Sequence, residues 1–196
     1  MTVASLIEWL PSIGLAIGLA ACAGLRAWLP LLLTGVLART GYVEVGPAFA
    51  FIGSTKALVV FGVATLIEMI GDKIPTVDHA LDAIGTLLRP AAGALLAASV
   101  MWKIDEPLLA VAAGLAVGAP SALVPHATKS AFRALSTTLT AGLANPILSL
   151  LEDAIALGLF ALSILLPILA ALFVGALAAL VLRRARGRQP ATPQPA

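Results

Sequence analysis

The chain alternates long apolar stretches with short polar or proline-containing segments. The first apolar run covers residues 11–38 and is interrupted by Arg26 and Pro30. About 20 apolar residues cross a bilayer as one α-helix, so this run is too long for one upright span and too short for two. The pattern predicts a tilted helix broken near Arg26, or a re-entrant helix.

Prolines divide the apolar stretches that follow. Residues 56–72 predict the next span, and Pro75 predicts a boundary after it, because a residue that precedes proline avoids the helical region. A short amphipathic helix is then expected over 76–89. Pro90 is predicted to separate this helix from the apolar segment 91–102.

The second part of the chain repeats this punctuation. Residues 108–124 predict another span, and a more polar helix follows over 126–143. Asn145 and Pro146 form a strong helix start, since asparagine caps well and proline suits the first helical position. The apolar run after them is interrupted at Pro167. In total the pattern predicts five or six spans.

Composition indicates that these helices lie in a membrane. Hydrophobic residues make up 60% and charged residues 11% of the 196 residues, and the mean hydropathy is +1.04. A soluble domain carries about 25% charged residues. We therefore expect an all-α protein, a polytopic transmembrane helix bundle with proline-broken or re-entrant helices and the lipid bilayer as its partner. Residues 1–186 would form one domain, and residues 187–196 a disordered tail.

An internal repeat is predicted for this domain, with halves at residues 11–103 and 107–183. In each half a proline, Pro75 or Pro146, is followed seven residues later by Asp-Ala-Ile. The second copy lacks a segment in its middle. If the missing segment is one span, the two halves insert in opposite senses, as in many secondary transporters.

Acidic residues between two of the apolar segments are the strongest candidates for a functional site. Glu68 and Asp72 are four residues apart, as are Asp78 and Asp82, so each pair shares a helix face and repels. Ionisable groups at membrane depth are costly and require compensation. The remaining candidate residues for this ion- or solute-binding centre are three bases and the two acids at the equivalent place in the second half: Arg26, Lys73, Arg89, Glu152 and Asp153.

Three arrangements would compensate these acids. They can form a closed salt-bridge network that binds nothing, they can bind a metal cation or protons, or the site can hold an anionic or zwitterionic solute at Arg26 and Arg89. Carboxylates favour hard cations, although Lys73 opposes a tight all-oxygen cage. The identity of any metal stays open at this point.

The segments around Arg26 and between Ile67 and Gly93 resemble a known family. Gly-Leu-Arg-Ala-Trp-Leu-Pro from Gly24, Glu-Met-Ile-Gly-Asp-Lys-Ile-Pro from Glu68 and Arg-Pro-Ala-Ala-Gly from Arg89 are similar to a bacterial membrane family. That family is a domain of unknown function, number forty-one twenty-six. The resemblance implies a bacterial membrane location and supplies no activity. A weaker resemblance to cation exchangers with a Glu-x-Gly-Asp-Lys-Thr string implies cation ligands at Glu68 and Asp72, although the spacing here is one residue longer.

The function expected from these observations is transport or permeation of a small ion or solute through a polar centre, in a protein that acts alone or as a homo-oligomer. The alternative is a non-catalytic scaffold or lipid-organising protein whose charges only join helices. The sequence has no P-loop, nucleophile elbow or metalloprotease motif, so we expect no enzyme, no cofactor and no nucleic-acid partner. Arginines over 183–188 predict a cytoplasmic C-terminus in the bacterial inner membrane.

Overall fold

All regular secondary structure that the computed structural model describes is helical, which confirms the predicted all-α class. The structure describes residues 3–101 and 103–186. Within these ranges it does not describe the side chains of residues 3–7, 75, 76, 78, 79, 178, 181, 182, 185 and 186. The predicted tail, residues 187–196, lies outside the described residues. The elements are α1 (Val3–Leu25), α2 (Trp28–Thr40), a 3-10 helix (Pro47–Gly53), α3 (Thr55–Gly71), α4 (Pro75–Val100), α5 (Pro107–Thr140), α6 (Asn145–Leu165) and α7 (Pro167–Arg186).

Among the described residues, four helices (α1, α4, α5 and α6) contain segments long and apolar enough to cross a membrane. The 3-10 helix and α3, bent by 58° relative to each other, add a fifth candidate if they count as one span. With that pair included, the described residues contain five candidate spans, the lower of the two predicted numbers. The two helices predicted over 76–102 form one continuous helix, α4, and the two predicted over 108–143 form another, α5.

Prolines proved weaker breaks than the sequence predicted. Pro90 lies inside α4, and Pro120 and Pro125 lie inside α5, so the predicted boundaries at Pro90 and Pro125 are wrong. Prolines are tolerated within transmembrane helices where neighbouring helices support the backbone, and α4 and α5 pack closely against each other. The predicted boundaries at Pro75 and Pro167 are confirmed.

Helix α1 lies at the centre of the bundle, where it contacts α4, α5, α6 and α7. Its segment from Leu19 to Ala23 is fully buried and consists almost entirely of small residues. Small residues also line the contact of α4 with α5: a Cβ atom on Gly93 would lie 2.7 Å from the Cβ atom of Ala122. Close backbone approach through small residues is the usual way in which membrane helices gain van der Waals contact.

Two chain breaks lie at one level of this bundle. Helix α1 ends at Leu25, and α2 turns back, so that Glu8 near the start of α1 and Glu44 just after α2 line the same cavity. Helix α3 runs antiparallel to α2 and ends at Gly71, and α4 begins after a short turn. The break predicted near Arg26 is confirmed. The internal repeat stays a prediction.

Candidate functional site

The two chain breaks bring charged side chains together. Arg26 lies between α1 and α2 with no exposed surface, and Asp72 follows the last residue of α3 with 1% exposed. Arg26 and Asp72 form a buried ion pair, although 46 residues separate them. The positive charge at the break after α1 is therefore neutralised by the negative charge at the break after α3.

Glu68 caps the start of α2 from the last turns of α3. Its Oε1 atom accepts a hydrogen bond from the backbone N–H of Ala27 at 3.1 Å, and its Oε2 atom accepts one from Trp28 at 3.3 Å. The first N–H groups of a helix have no partner within the helix, and a carboxylate there also interacts favourably with the helix dipole. Glu68 thus satisfies two backbone donors that the chain break leaves without a partner in the helix.

Replacing Glu68 with glutamine tests this capping role. The amide can accept at one atom only, so one buried N–H of α2 loses its acceptor, and we expect a loss of about 1–2 kcal/mol in the free energy of unfolding. Chemical unfolding of the purified protein in detergent micelles measures it. Glu44→Gln, at an exposed loop position, is the control, and equal stability of the two variants would contradict the capping role.

Asp72 is the point at which most of the charges converge. Its Oδ2 atom contacts Arg26, Lys129 Nζ at 3.1 Å and an Arg133 terminal nitrogen at 3.2 Å. All three cations have side chains at most 4% exposed. The Oδ1 atom of Asp72 is also buried, and within the described part of the chain it has no hydrogen-bond partner.

Helix α6 supplies a second pair of acids to the same centre. Glu152 contacts Arg133 at 2.6 Å and Lys129 at 3.1 Å. Asp153 contacts the Nε atom of Arg26 at 2.7 Å. Arg26 also donates to the Oγ atom of Ser149 at 2.9 Å and to its backbone oxygen at 3.2 Å. Acids from both predicted halves therefore share the same bases.

Arg89 forms the other end of the centre, on α4. It contacts Asp82 at 3.0 Å and, more loosely, Glu68 at 3.8 Å. It also lies 2.6 Å from Nδ1 of His126; since arginine can only donate, Nδ1 accepts and the proton of a neutral imidazole is on Nε2. Gly85 leaves room for the guanidinium, because a Cβ atom there would lie 3.1 Å from Cζ of Arg89.

The described charges of this centre balance. Five acids (Glu68, Asp72, Asp82, Glu152 and Asp153) face five bases (Arg26, Lys73, Arg89, Lys129 and Arg133), and each has an opposite charge within 4.0 Å. We call these ten residues the charged network. Two buried atoms of the network, Oδ1 of Asp72 and Nε of Arg89, have no hydrogen-bond partner among the described residues.

The predicted site residues occupy different positions in this network. Lys73, expected to balance charge in the acidic centre, has a side chain that is 40% exposed, and within the described residues its ion pair is with Asp153, at 4.0 Å. Its Nζ atom also donates to the carbonyl oxygen of Met69. The side chain of Asp78 lies outside the described residues.

Three residues that contact this centre were not among the predicted site residues. Lys129 and Arg133 are buried on α5, and His126, which a polar helix start would place at the membrane interface, is buried beside Arg89. These residues follow each other at three- and four-residue spacing, so they share one helix face. A basic face on an otherwise apolar helix was the signal available in the sequence.

Most of the described surface around the network is apolar. On α3 the exposed residues include Val63, Ile67 and Ile70, and on α5 Leu135 and Leu139 lie beyond Arg133. A cavity of about 120 Å³ between α3 and α4, with mainly apolar walls, reaches Glu68 and Arg89. No group of three or more His, Cys, Asp or Glu residues in the described part of the chain is arranged to hold a metal ion.

This apolar helical bundle with a buried charged centre defines a multi-pass α-helical membrane protein. Residues 13–186 match the family model described as Domain of unknown function (DUF4126), and the chain belongs to that family. The family resemblance predicted from the sequence is thereby confirmed. No curated protein and no solved structure matches the chain.

Proposed function

We propose that this protein transports a small ion or solute and that the charged network is its closed polar centre. The proposal depends on one observation: eight of the ten network residues are buried where α1 and α3 end, inside a bundle whose exterior is mainly apolar. Buried charges at membrane depth are expensive and usually mark an ion or substrate pathway. Transporters commonly build such sites at helix breaks.

The incomplete hydrogen bonding of the network supports this proposal. A network that only holds helices together contributes most to stability when every buried polar atom has a hydrogen-bond partner, since each atom without one carries a desolvation penalty. Asp72 Oδ1 and Arg89 Nε have no hydrogen-bond partner within the described residues. Such atoms are available to a transported solute once the network opens.

Flux through liposomes tests the proposal. Purified protein is reconstituted, and the movement of protons, sodium, potassium and acetate is compared with protein-free liposomes. We expect flux of at least one of these solutes in the wild-type protein. Glu152→Gln removes one charge from the network and is expected to reduce that flux to the protein-free level.

Glu106→Gln, at an exposed position at the start of α5, is the matched control and should retain wild-type flux. Size-exclusion chromatography and circular dichroism verify that both variants fold. Absence of flux for every solute in a folded wild-type protein would contradict transport.

A scaffold is the second candidate function, and the complete pairing of the network favours it. Each acid of the network has a base within 4.0 Å, and the formal charges cancel. Removal of one partner of such a buried pair is strongly destabilising. A scaffold therefore predicts that Glu152→Gln unfolds the protein and that the wild type carries no flux.

We also propose that the C-terminal end of α7 lies on the cytoplasmic side of a bacterial inner membrane. Arg183 and Arg184 are exposed in its last turns. Basic residues next to a membrane helix favour the cytoplasmic side.

A further inference from the structure

We propose that the side chain of Asp72 occupies a binding site for a small monovalent oxyanion, a carboxylate about the size of acetate, which displaces it during transport. The inference rests on the proposed transport function and adds the class of substrate. It follows from the contacts that Asp72 makes, from the charge that it neutralises and from the element that carries it.

The contacts of Asp72 resemble those of a bound anion more than those of a structural carboxylate. Arg26, Lys129 and Arg133 all reach the same oxygen, Oδ2. Strong arginine–carboxylate pairs are frequently bidentate and use both oxygens. Oδ1 of Asp72 is buried and makes no hydrogen bond to any described residue.

The local charges favour a single negative ligand. Glu152 and Asp153 contact the same three cations as Asp72. Asp82 also lies 3.8 Å from Lys129, so without the carboxylate of Asp72 the five described bases of the network would face four described acids. One monovalent anion restores the balance, whereas a cation would be repelled by three positive charges at close range in a medium of low dielectric constant.

Asp72 and two of the cations around it, Lys129 and Arg133, belong to different parts of the fold. Asp72 follows α3, which packs chiefly against α2 and the 3-10 helix. Lys129 and Arg133 lie on α5, which packs against α1 and α4 at the centre of the bundle. Separation of the end of α3 from α5 would withdraw the carboxylate and leave Lys129 and Arg133 in position for a substrate.

Binding to the wild-type protein provides the first test. Acetate and methylammonium, ions of similar size and opposite charge, are titrated into the full-length protein in detergent micelles by calorimetry. We expect saturable binding of acetate and none of methylammonium. Binding of methylammonium, or the absence of saturable acetate binding, would overturn the inference without reference to any variant.

Variants at position 72 provide the second test. Asp72→Asn removes the competing charge, whereas Asp72→Glu keeps it and serves as the matched control. If the open state makes up about 0.1–10% of the wild-type protein, the asparagine variant should bind acetate roughly 10- to 1,000-fold more tightly. An acetate affinity of Asp72→Asn equal to or weaker than that of the wild type would overturn the inference.

The two proposals fail in different ways. Glu152-dependent flux of a cation together with no acetate binding would overturn the oxyanion inference and leave transport intact. Acetate binding that Asp72→Asn strengthens, together with no flux of any solute, would support the anion site and contradict transport.

Discussion

Replacing Arg26 with methionine is expected to reduce the free energy of unfolding by about 3–5 kcal/mol, the usual effect of removing one partner from a buried ion pair. Arg26 has no exposed surface and contacts Asp72, Asp153 and Ser149. Methionine has a similar length but no donor, so it leaves two buried carboxylates with less compensation. Equilibrium unfolding of the purified protein in mixed micelles measures the change.

Arg39→Met is the matched control. Arg39 is exposed at the end of α2, and among the described residues its side chain makes one hydrogen bond, to Thr55 at 3.0 Å. Exposed substitutions of this kind usually change stability by less than about 0.5 kcal/mol. If the Arg26 and Arg39 variants lose similar amounts, the charged network does not hold the breaks of α1 and α3 together.

The second large effect is expected from Gly93→Ala, which should destabilise the protein by about 1–3 kcal/mol because it overpacks a contact between three helices. A Cβ atom at this position would lie 2.7 Å from Cβ of Ala122 and 2.8 Å from the carbonyl oxygen of Gly118, both on α5. It would also lie 3.4 Å from Cβ of Ala20 on α1. Backbone atoms cannot move aside as a flexible side chain can, so α4 must shift away from α5.

Gly158→Ala on α6 is the control with the opposite expected sign. A Cβ atom on Gly158 has no heavy atom outside its own helix within 4 Å. Alanine is favoured over glycine inside a helix by about 0.5–1 kcal/mol, so this variant should unfold at a higher temperature than the wild type. Thermal unfolding followed by circular dichroism compares the two, and a stabilised Gly93→Ala variant would show that α4 and α5 are not in close contact there.

The candidate site was only partly accessible from the sequence. Glu68, Asp72 and Asp82 stand out because charged residues are rare in this chain, and the structure brings all three into one network. Their partners Lys129 and Arg133 are remote in sequence, so no local spacing connects them with the acids. The binding role of the network remains a prediction.

The sequence by itself determined the membrane class, the all-α fold and the breaks near Arg26, Pro75 and Pro167, because hydropathy and backbone chemistry are local properties. Only the tertiary structure decided that Pro90 and Pro125 lie inside continuous helices, since the packing of α4 on α5 supports their backbone. It also decided which base meets which acid. Those pairings depend on how helices distant in sequence pack around α1, and hydrophobic periodicity carries no information about partners.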